Sequence, residues 1–220
     1  ARTQAEAARR AALLALPPGA RVLDFGAGSG EFLAEGQRHG WAMLGVEPGE
    51  AYAGHARGLG VTVLPGLEGA EGPFDAITAH HVLEHLRDPL ATLRDLASRL
   101  APGGVVYLSV PDMGPAPKPA FERLHFAHVH GFVPRTLDLL AARAGLVPAP
   151  GFARDGTTCV YMRGESTLAP DPALAHEVRA GFRMVHPLRH VLTFAWAAPM
   201  LRRLGRDIRD TIRPLRRGGR

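Results

Sequence analysis

The chain has one cysteine, Cys159, and one lysine, Lys118, among its 220 residues. A single cysteine excludes an internal disulfide and fits a reducing compartment such as the cytoplasm. Cys159 stands within Thr157–Met162, which reads as a buried strand, so a packing role is expected. With one lysine, the positive charge is carried by arginine, a usage that genomic base composition also shapes. No uninterrupted apolar run of about 18–20 residues occurs, which excludes an ordinary transmembrane helix. No secretory leader is visible: Ala1 to Arg10 is polar and contains arginine, with no apolar core or cleavage site behind it. The zinc-protease motif H-E-x-x-H is missing too, since His81 to His85 reads H-V-L-E-H with the glutamate in the wrong slot. Histidines do gather in two stretches (His80, His81, His85 and His125, His128, His130), but no carboxylate triad accompanies them, and no metal is expected.

What is present begins with an ample apolar fraction, 46%. The length suits one large domain or one domain with an appendage. The formal charge of +5 is uneven. Residues 201–220 hold eight arginines and two aspartates, a net of +6, which leaves the other 200 residues at −1. The basicity is therefore a C-terminal property.

Residues 22–30, Val-Leu-Asp-Phe-Gly-Ala-Gly-Ser-Gly, are the most informative stretch. Val22, Leu23 and Phe25 suit a buried parallel strand. Gly26, Gly28 and Gly30 form a turn that lets the backbone approach a ligand, and Glu31, Phe32 and Leu33 open a helix whose amides would face it. A dinucleotide fingerprint G-x-G-x-x-G would need glycine at 31 or 33, where Glu31 and Leu33 stand. A second buried strand, Ala42–Val46, ends in Glu47-Pro48. A carboxylate at that tip can accept from both hydroxyls of a ribose. The two features imply an adenosine-containing ligand, either a nicotinamide or flavin dinucleotide or S-adenosylmethionine.

The next segments separate these. Phe74–Ala79 predicts a fourth strand, followed by His80-His81-Val82-Leu83-Glu84-His85. Leu100-Ala101-Pro102-Gly103-Gly104 turns into the strand Val105–Val110. Ala127–Leu137 and Ala144-Gly145-Leu146 follow. In this order the segments resemble the class I S-adenosylmethionine-dependent methyltransferases, the broad branch with H-x-L-E-H after strand four and L-x-P-G-G before strand five. The resemblance covers residues 10–163. It implies a doubly wound, mostly parallel seven-stranded α/β sheet of Rossmann-like form. It also implies S-adenosylmethionine as cofactor and S-adenosylhomocysteine as product. By the same resemblance, Asp24, Gly26, Ala27, Gly28 and Gly30 order the loop at the methionine part, while Glu47 and Pro48 hold the ribose. Gly66, Leu67 and Glu68 meet the adenine, and the main chain near Ala79 and His80 closes the methionine side.

Helices are expected near 3–16, 31–39, 50–58, 89–100 and 134–144. Strands are expected near 43–46, 61–64, 74–79, 104–110, 147–153 and 158–163, the last two joined by a hairpin turn at Arg154–Thr157. The resemblance places one strand of that pair antiparallel in the sheet. Residues 111–120 form a Pro-rich loop above the strand ends, suited to a substrate lid. The methyltransferase domain is taken as 1–164. Residues 165–220 make a helical, basic C-terminal extension, with Asp171 to Val185 helical and Leu188 to Leu201 too short to span a bilayer. Leu201, Leu204, Ile208, Ile212 and Leu215 recur at helical steps beside an arginine face. That pattern suits packing on the domain or a second subunit, a peripheral contact with the inner membrane surface, or nucleic acid.

O-methylation needs a base, and His81 and His128 are the catalytic candidates. His85 is expected to be structural. The expected activity is O-methylation of a small-molecule, glycan or lipid-linked acceptor in the cytoplasm. Alternatives are RNA methylation, a non-catalytic S-adenosylmethionine-binding partner protein and a dinucleotide oxidoreductase. The core has no basic stripe with interleaved aromatics and no N-P-P-[YF] segment after strand four, which speaks against nucleic acid.

Overall fold

A computed structural model describes residues 2–114, 125 and 127–176. The chain divides into two units. The first, Ala1–Met113 with Phe126–Pro170, holds every strand of the sheet. The second takes Gly114–His125 and Asp171–Arg220, of which Gly114, His125 and 171–176 are described. Residues 172–176 are helical, as expected for the start of the 171–185 segment. The amphipathic arginine stretch and most of the Pro-rich loop lie outside the described residues.

In chain order the elements are α1 (Arg2–Leu14), β1 (Arg21–Phe25), α2 (Glu31–Arg38), β2 (Ala42–Val46), α3 (Glu50–Gly58) and β3 (Thr62–Leu64). There follow β4 (Phe74–His80), a 3-10 turn (Leu83–His85), α4 (Pro89–Ser98), β5 (Leu100–Ser109), α5 (Pro134–Arg143), β6 (Leu146–Pro148) and β7 (Thr158–Arg163). The sheet has seven strands in the order β3-β2-β1-β4-β5-β7-β6. β1 to β5 are parallel neighbours, and β7 runs antiparallel to both β5 and β6. This is the doubly wound arrangement that alternating strands and helices dictate.

The register explains the layering. Leu23, Ile77 and Val106 are paired neighbours whose side chains join one core with Leu93, Leu96 and Leu137. Val22, Ala76 and Tyr107 point the other way and join Ala7, Ala11 and Leu14 of α1. Side chains alternate along a strand, so both faces are apolar only because helices cover both. α1 lays the stripe Ala7, Ala11, Leu14 on the sheet at steps of four and three residues. α4 begins where Asp88 accepts from the Ala91 amide at 2.9 Å and Pro89 occupies the first turn.

Two expectations are corrected. β5 begins at Leu100, not near 104: Phe74 pairs with Leu100 and Ala76 with Val105, so Pro102-Gly103-Gly104 forms an irregularity inside the strand. β6 holds three residues, not seven, because Ala149 is the last of its segment bonded to β7 before the chain leaves the sheet. The turn is set by the two mutual bonds of Asp155 and Thr158, at 3.0 and 2.8 Å. His85 ends a three-residue 3-10 turn. Among the described residues, no helix is long and apolar enough to cross a membrane. Cys159 is buried in β7 as expected.

Candidate active site

Open α/β sheets bind ligands beyond the carboxyl ends of the strands where strand order reverses. Here that is the junction of β1 and β4. A cavity of about 250 Å³ lies there, lined by Asp24 of β1, by Gly26, Ala27, Gly28 and Ser29 after it, by Glu31 and Phe32 of α2, and by His80 at the end of β4. Thr3, Glu6, Ala7 and Arg10 of α1 and Tyr52 of α3 complete it.

The glycines owe their identity to different neighbours. A Cβ at Gly26 would come within 2.3 Å of the Val82 side chain, so the loop and the segment after β4 are pressed together. Gly28 has φ +53°, and a Cβ there would meet nothing within 4 Å, so its open side belongs to the cavity. Gly30 does not line the cavity; it lies against Ala56 of α3 and sets the approach of α2 and α3.

Asp24 is buried in β1 after Val22 and Leu23. Arg10 Nη1 donates to its Oδ1 at 3.1 Å, and the Thr78 hydroxyl donates to the same oxygen. Burial pushes the carboxyl up from its ordinary value, and Arg10 and Thr78 pull it back only in part. The Arg10 guanidinium also lies 4.3 Å from the Phe32 ring centre and 5.5 Å from that of Tyr107. Its Nε is buried without a partner. Arg10 is the residue that motif-based reasoning passes over. Its signal in the sequence is a cation three residues after Ala7 and one before Ala11, inside the apolar stripe of α1.

Glu47 is outside the lining, yet its carboxylate holds the loop. Oε2 accepts from the Gly28 amide at 2.9 Å and Oε1 from the Gly49 amide at 2.8 Å. Pro48 follows it at the rim of α3. Gly66, Leu67 and Glu68 follow β3 and do not line the cavity; the Glu68 carboxylate lies over the Cα of Gly66. Ala79 is fully buried in the core, so any part it takes is through its main chain. His80 contributes more than a main chain. Its ring lines the cavity, lies 6.2 Å from the Tyr107 ring, and has Nδ1 buried without a partner. Burial first, then the nearby Arg10 and His81, drives its pKa down to about 3, so the ring is neutral near pH 7.

His81 and His128, the two expected bases, fall near one another around a buried carboxylate and outside the cavity lining. His81 has φ 56°, an unusual backbone for a non-glycine residue, held by its amide bond to the Ser109 carbonyl at 2.8 Å. Its Nδ1 lies 3.3 Å from Glu84 Oε1. Glu84 is 1% exposed, and its Oε2 has no partner. His85 Nδ1 lies 2.9 Å from the Ala127 carbonyl, and its Nε2 lies 3.8 Å from Glu84 Oε1. The His128 ring meets that of His85 edge-on at 4.8 Å. The Glu84 carbonyl accepts from the amides of Val129 and His130 at 2.8 and 3.1 Å, which ties the histidine loop to the segment after β4.

Comparison with known proteins bears on the family and the fold. A methyltransferase domain family model matches residues 1–149. The chain is 37% identical to the ubiquinone biosynthesis O-methyltransferase of Xanthomonas campestris pv. campestris, over 48% of this chain and 48% of that protein. It is 36% identical to the protein of the same name from Parvibaculum lavamentivorans, over 40% and 39%. It thus spans about half the length of the curated relatives it matches, or less. The fold is shared with magnesium protoporphyrin IX methyltransferase from Synechocystis PCC 6803 with bound SAM (TM-score 0.56, 19% identity, 74% and 80% of the chains covered). It is shared as well with a SAM-dependent methyltransferase from Geobacter sulfurreducens in complex with S-adenosyl-L-homocysteine (TM-score 0.52, 24% identity, 65% and 64% covered). The chain belongs to the methyltransferase domain family and has the fold of the class I S-adenosylmethionine-dependent methyltransferases.

Proposed function

We propose that the protein transfers the methyl group of S-adenosylmethionine to an oxygen of a small-molecule acceptor. The observation that carries this reading is the cavity at the β1–β4 junction, where a glycine loop, Asp24, Arg10 and His80 converge. Arg10 is suited to the methionine carboxylate, because it lines the cavity and a guanidinium can fork onto a carboxylate. Both bonds to Asp24 go to Oδ1, which leaves Oδ2 to accept from the methionine amino group. The amides around Gly26, Ala27 and Gly28 would approach the same part of the ligand. Glu47 would take the ribose hydroxyls, since a carboxylate oxygen already bonded to an amide can still accept once more. Pro48, with Gly66, Leu67 and Glu68, would flank the ribose and adenine, and the main chain of Ala79 would close the methionine side.

The reaction itself is an in-line displacement at carbon. The protein's main task is to hold donor and acceptor at about 3–3.5 Å. The acceptor hydroxyl loses its proton as its oxygen forms the new bond to the methyl carbon. The carbon–sulfur bond breaks with its electron pair going to sulfur, which yields S-adenosylhomocysteine. His81 is the proposed proton acceptor: with Nδ1 directed at Glu84 Oε1, its Nε2 is left to take the proton. Oxygen is preferred as the target because the two named relatives are O-methyltransferases. A glycan or lipid-linked acceptor, with a peripheral membrane contact through the C-terminal extension, stays within this proposal.

Radiolabelled S-adenosylmethionine incubated with the protein and a cell extract tests it, with Glu47→Ala as the blank. Label is expected in the small-molecule or lipid fraction. Label in RNA would overturn the choice of acceptor. Failure to bind S-adenosylhomocysteine in calorimetry would overturn the choice of cofactor.

A further inference from the structure

Glu84 is a buried carboxylate in an unusual company. One oxygen, Oε1, faces His81 Nδ1, and the other has no partner. His85 has its Nδ1 at 2.9 Å from the Ala127 carbonyl, so Nδ1 carries a hydrogen, and in the neutral ring Nε2 is the nitrogen left to ligate. That nitrogen lies 3.8 Å from Glu84 Oε1. A proton or a metal cation held between the two atoms would make this approach favourable. An imidazole whose Nδ1–H is bonded to a backbone carbonyl is also the usual arrangement of a histidine that ligates metal through Nε2. His128 brings a third nitrogen: the donor atoms of Glu84, His85 and His128 all lie within 4.8 Å of one another.

We propose that Glu84, His85 and His128 form a binding site for one divalent transition-metal ion such as zinc. Two imidazoles and one carboxylate are the donor set of open, three-ligand zinc sites, and they do not suit calcium or magnesium, which take oxygen. Metal–ligand bonds of about 2.0–2.2 Å put neighbouring donors roughly 3–3.5 Å apart. The three groups are a little wider than this, and His85, with its side chain 40% exposed, has room to turn inward. The loop that carries His128 is already fixed to the carbonyl of Glu84 by two amides. Val82, two residues before Glu84, is packed on Gly26, which ties the proposed site to the cofactor loop.

The consequence for catalysis rests on the methyl-transfer reading above. A three-ligand ion keeps a position open for the acceptor oxygen and lowers the pKa of its hydroxyl. The proton goes to His81, the oxygen attacks the methyl carbon, and the electron pair of the broken carbon–sulfur bond stays on sulfur. No co-reactant is needed. His128 then acts as a ligand and not as a base.

The untagged chain, stripped with a chelator and dialysed, is titrated with Co²⁺, whose visible absorption reports coordination. One equivalent is expected, with the absorption of a four- or five-coordinate site, and Zn²⁺ should displace it. Glu84→Gln, His85→Ala and His128→Ala should each weaken binding by at least ~10-fold, a loss already seen for groups one shell further out. The double variant H85A/H128A should abolish the absorption, and His130→Ala in the same loop should leave it unchanged. Because His85 is half-exposed and His128 only partly buried, their variants keep the fold even where E84Q does not, which circular dichroism checks. Equal uptake by wild type and H85A/H128A, or no visible absorption with wild type, overturns the site. Calorimetry with S-adenosylhomocysteine on the same samples separates the two proposals. Nucleoside binding without Co²⁺ uptake ends only the metal proposal; Co²⁺ uptake without nucleoside binding ends only the cofactor reading.

Discussion

Arg10 of α1 and Asp24 of β1 form a salt bridge at 3.1 Å with side chains 8% and 3% exposed. Removing one partner from such a pair leaves the other charge buried and uncompensated, which costs about 3–5 kcal/mol. Arg10→Ala should therefore destabilise the fold by about 3 kcal/mol in urea denaturation. Arg10→Ala/Asp24→Asn should be less destabilised than the two single changes summed. Additive effects would show that the pair is not coupled.

Glu47 bonds the amides of Gly28 and Gly49 with its two oxygens. A hydrogen bond to a charged acceptor contributes about 1.5–3 kcal/mol, so Glu47→Gln should weaken S-adenosylhomocysteine binding at least ~10-fold. Gly28→Ala acts by another route. Its φ of +53° strains an alanine, and the new methyl group enters the cavity. Binding should fall by more than the roughly 1–2 kcal/mol that the backbone strain alone costs in stability. Calorimetry beside thermal melting separates the two losses.

His81 combines a left-handed backbone with a ring directed at Glu84. Asparagine tolerates that backbone better than most residues. His81→Asn should keep the fold and the affinity for S-adenosylhomocysteine, while turnover falls by roughly 10²–10⁴. Turnover within a few-fold of wild type would remove His81 as the proton acceptor.

His80 links the cavity to acid stability. Its pKa is about 3 in the folded chain against an ordinary 6.5, with burial the main cause. Between those values the unfolded chain binds the extra proton, so stability rises with pH and is lost as pH falls below 6.5. At pH 5 full linkage would amount to about 2 kcal/mol; partial solvent contact reduces this to about 1 kcal/mol. Denaturation of wild type and His80→Gln at pH 7.5 and pH 5 should show wild type losing that much more. Equal losses would place the titration elsewhere.

The glycine loop, the glutamate after β2 and the strands β1 to β4 are legible in the sequence because each depends on local chemistry. Positive φ asks for glycine, and a strand covered on both faces must be continuously apolar. The ends of β5 and β6 are not legible in the sequence, because pairing with β4 and β7 sets where a strand starts and stops. The role of Arg10 is hidden in the sequence for a related reason. An arginine in an alanine-rich helix is ordinary until the register sets Asp24, Thr78 and Tyr107 side by side on the sheet face beneath α1.

By itself, then, the sequence determined the order of elements and the glycine loop, carried by periodicity and glycine spacing over short stretches, and the class of fold, carried by the ordered motifs that resemble the methyltransferases. Tertiary structure alone decided which charges meet. Arg10 reaches Asp24 across 14 positions, and His128 reaches Glu84 and His85 across more than 40. Those meetings depend on strand register and on the amides of Val129 and His130 that hold the loop, quantities with no local signature in the chain. Burial then gives the meetings their chemical weight, because a charge removed from water must find its partner within the protein.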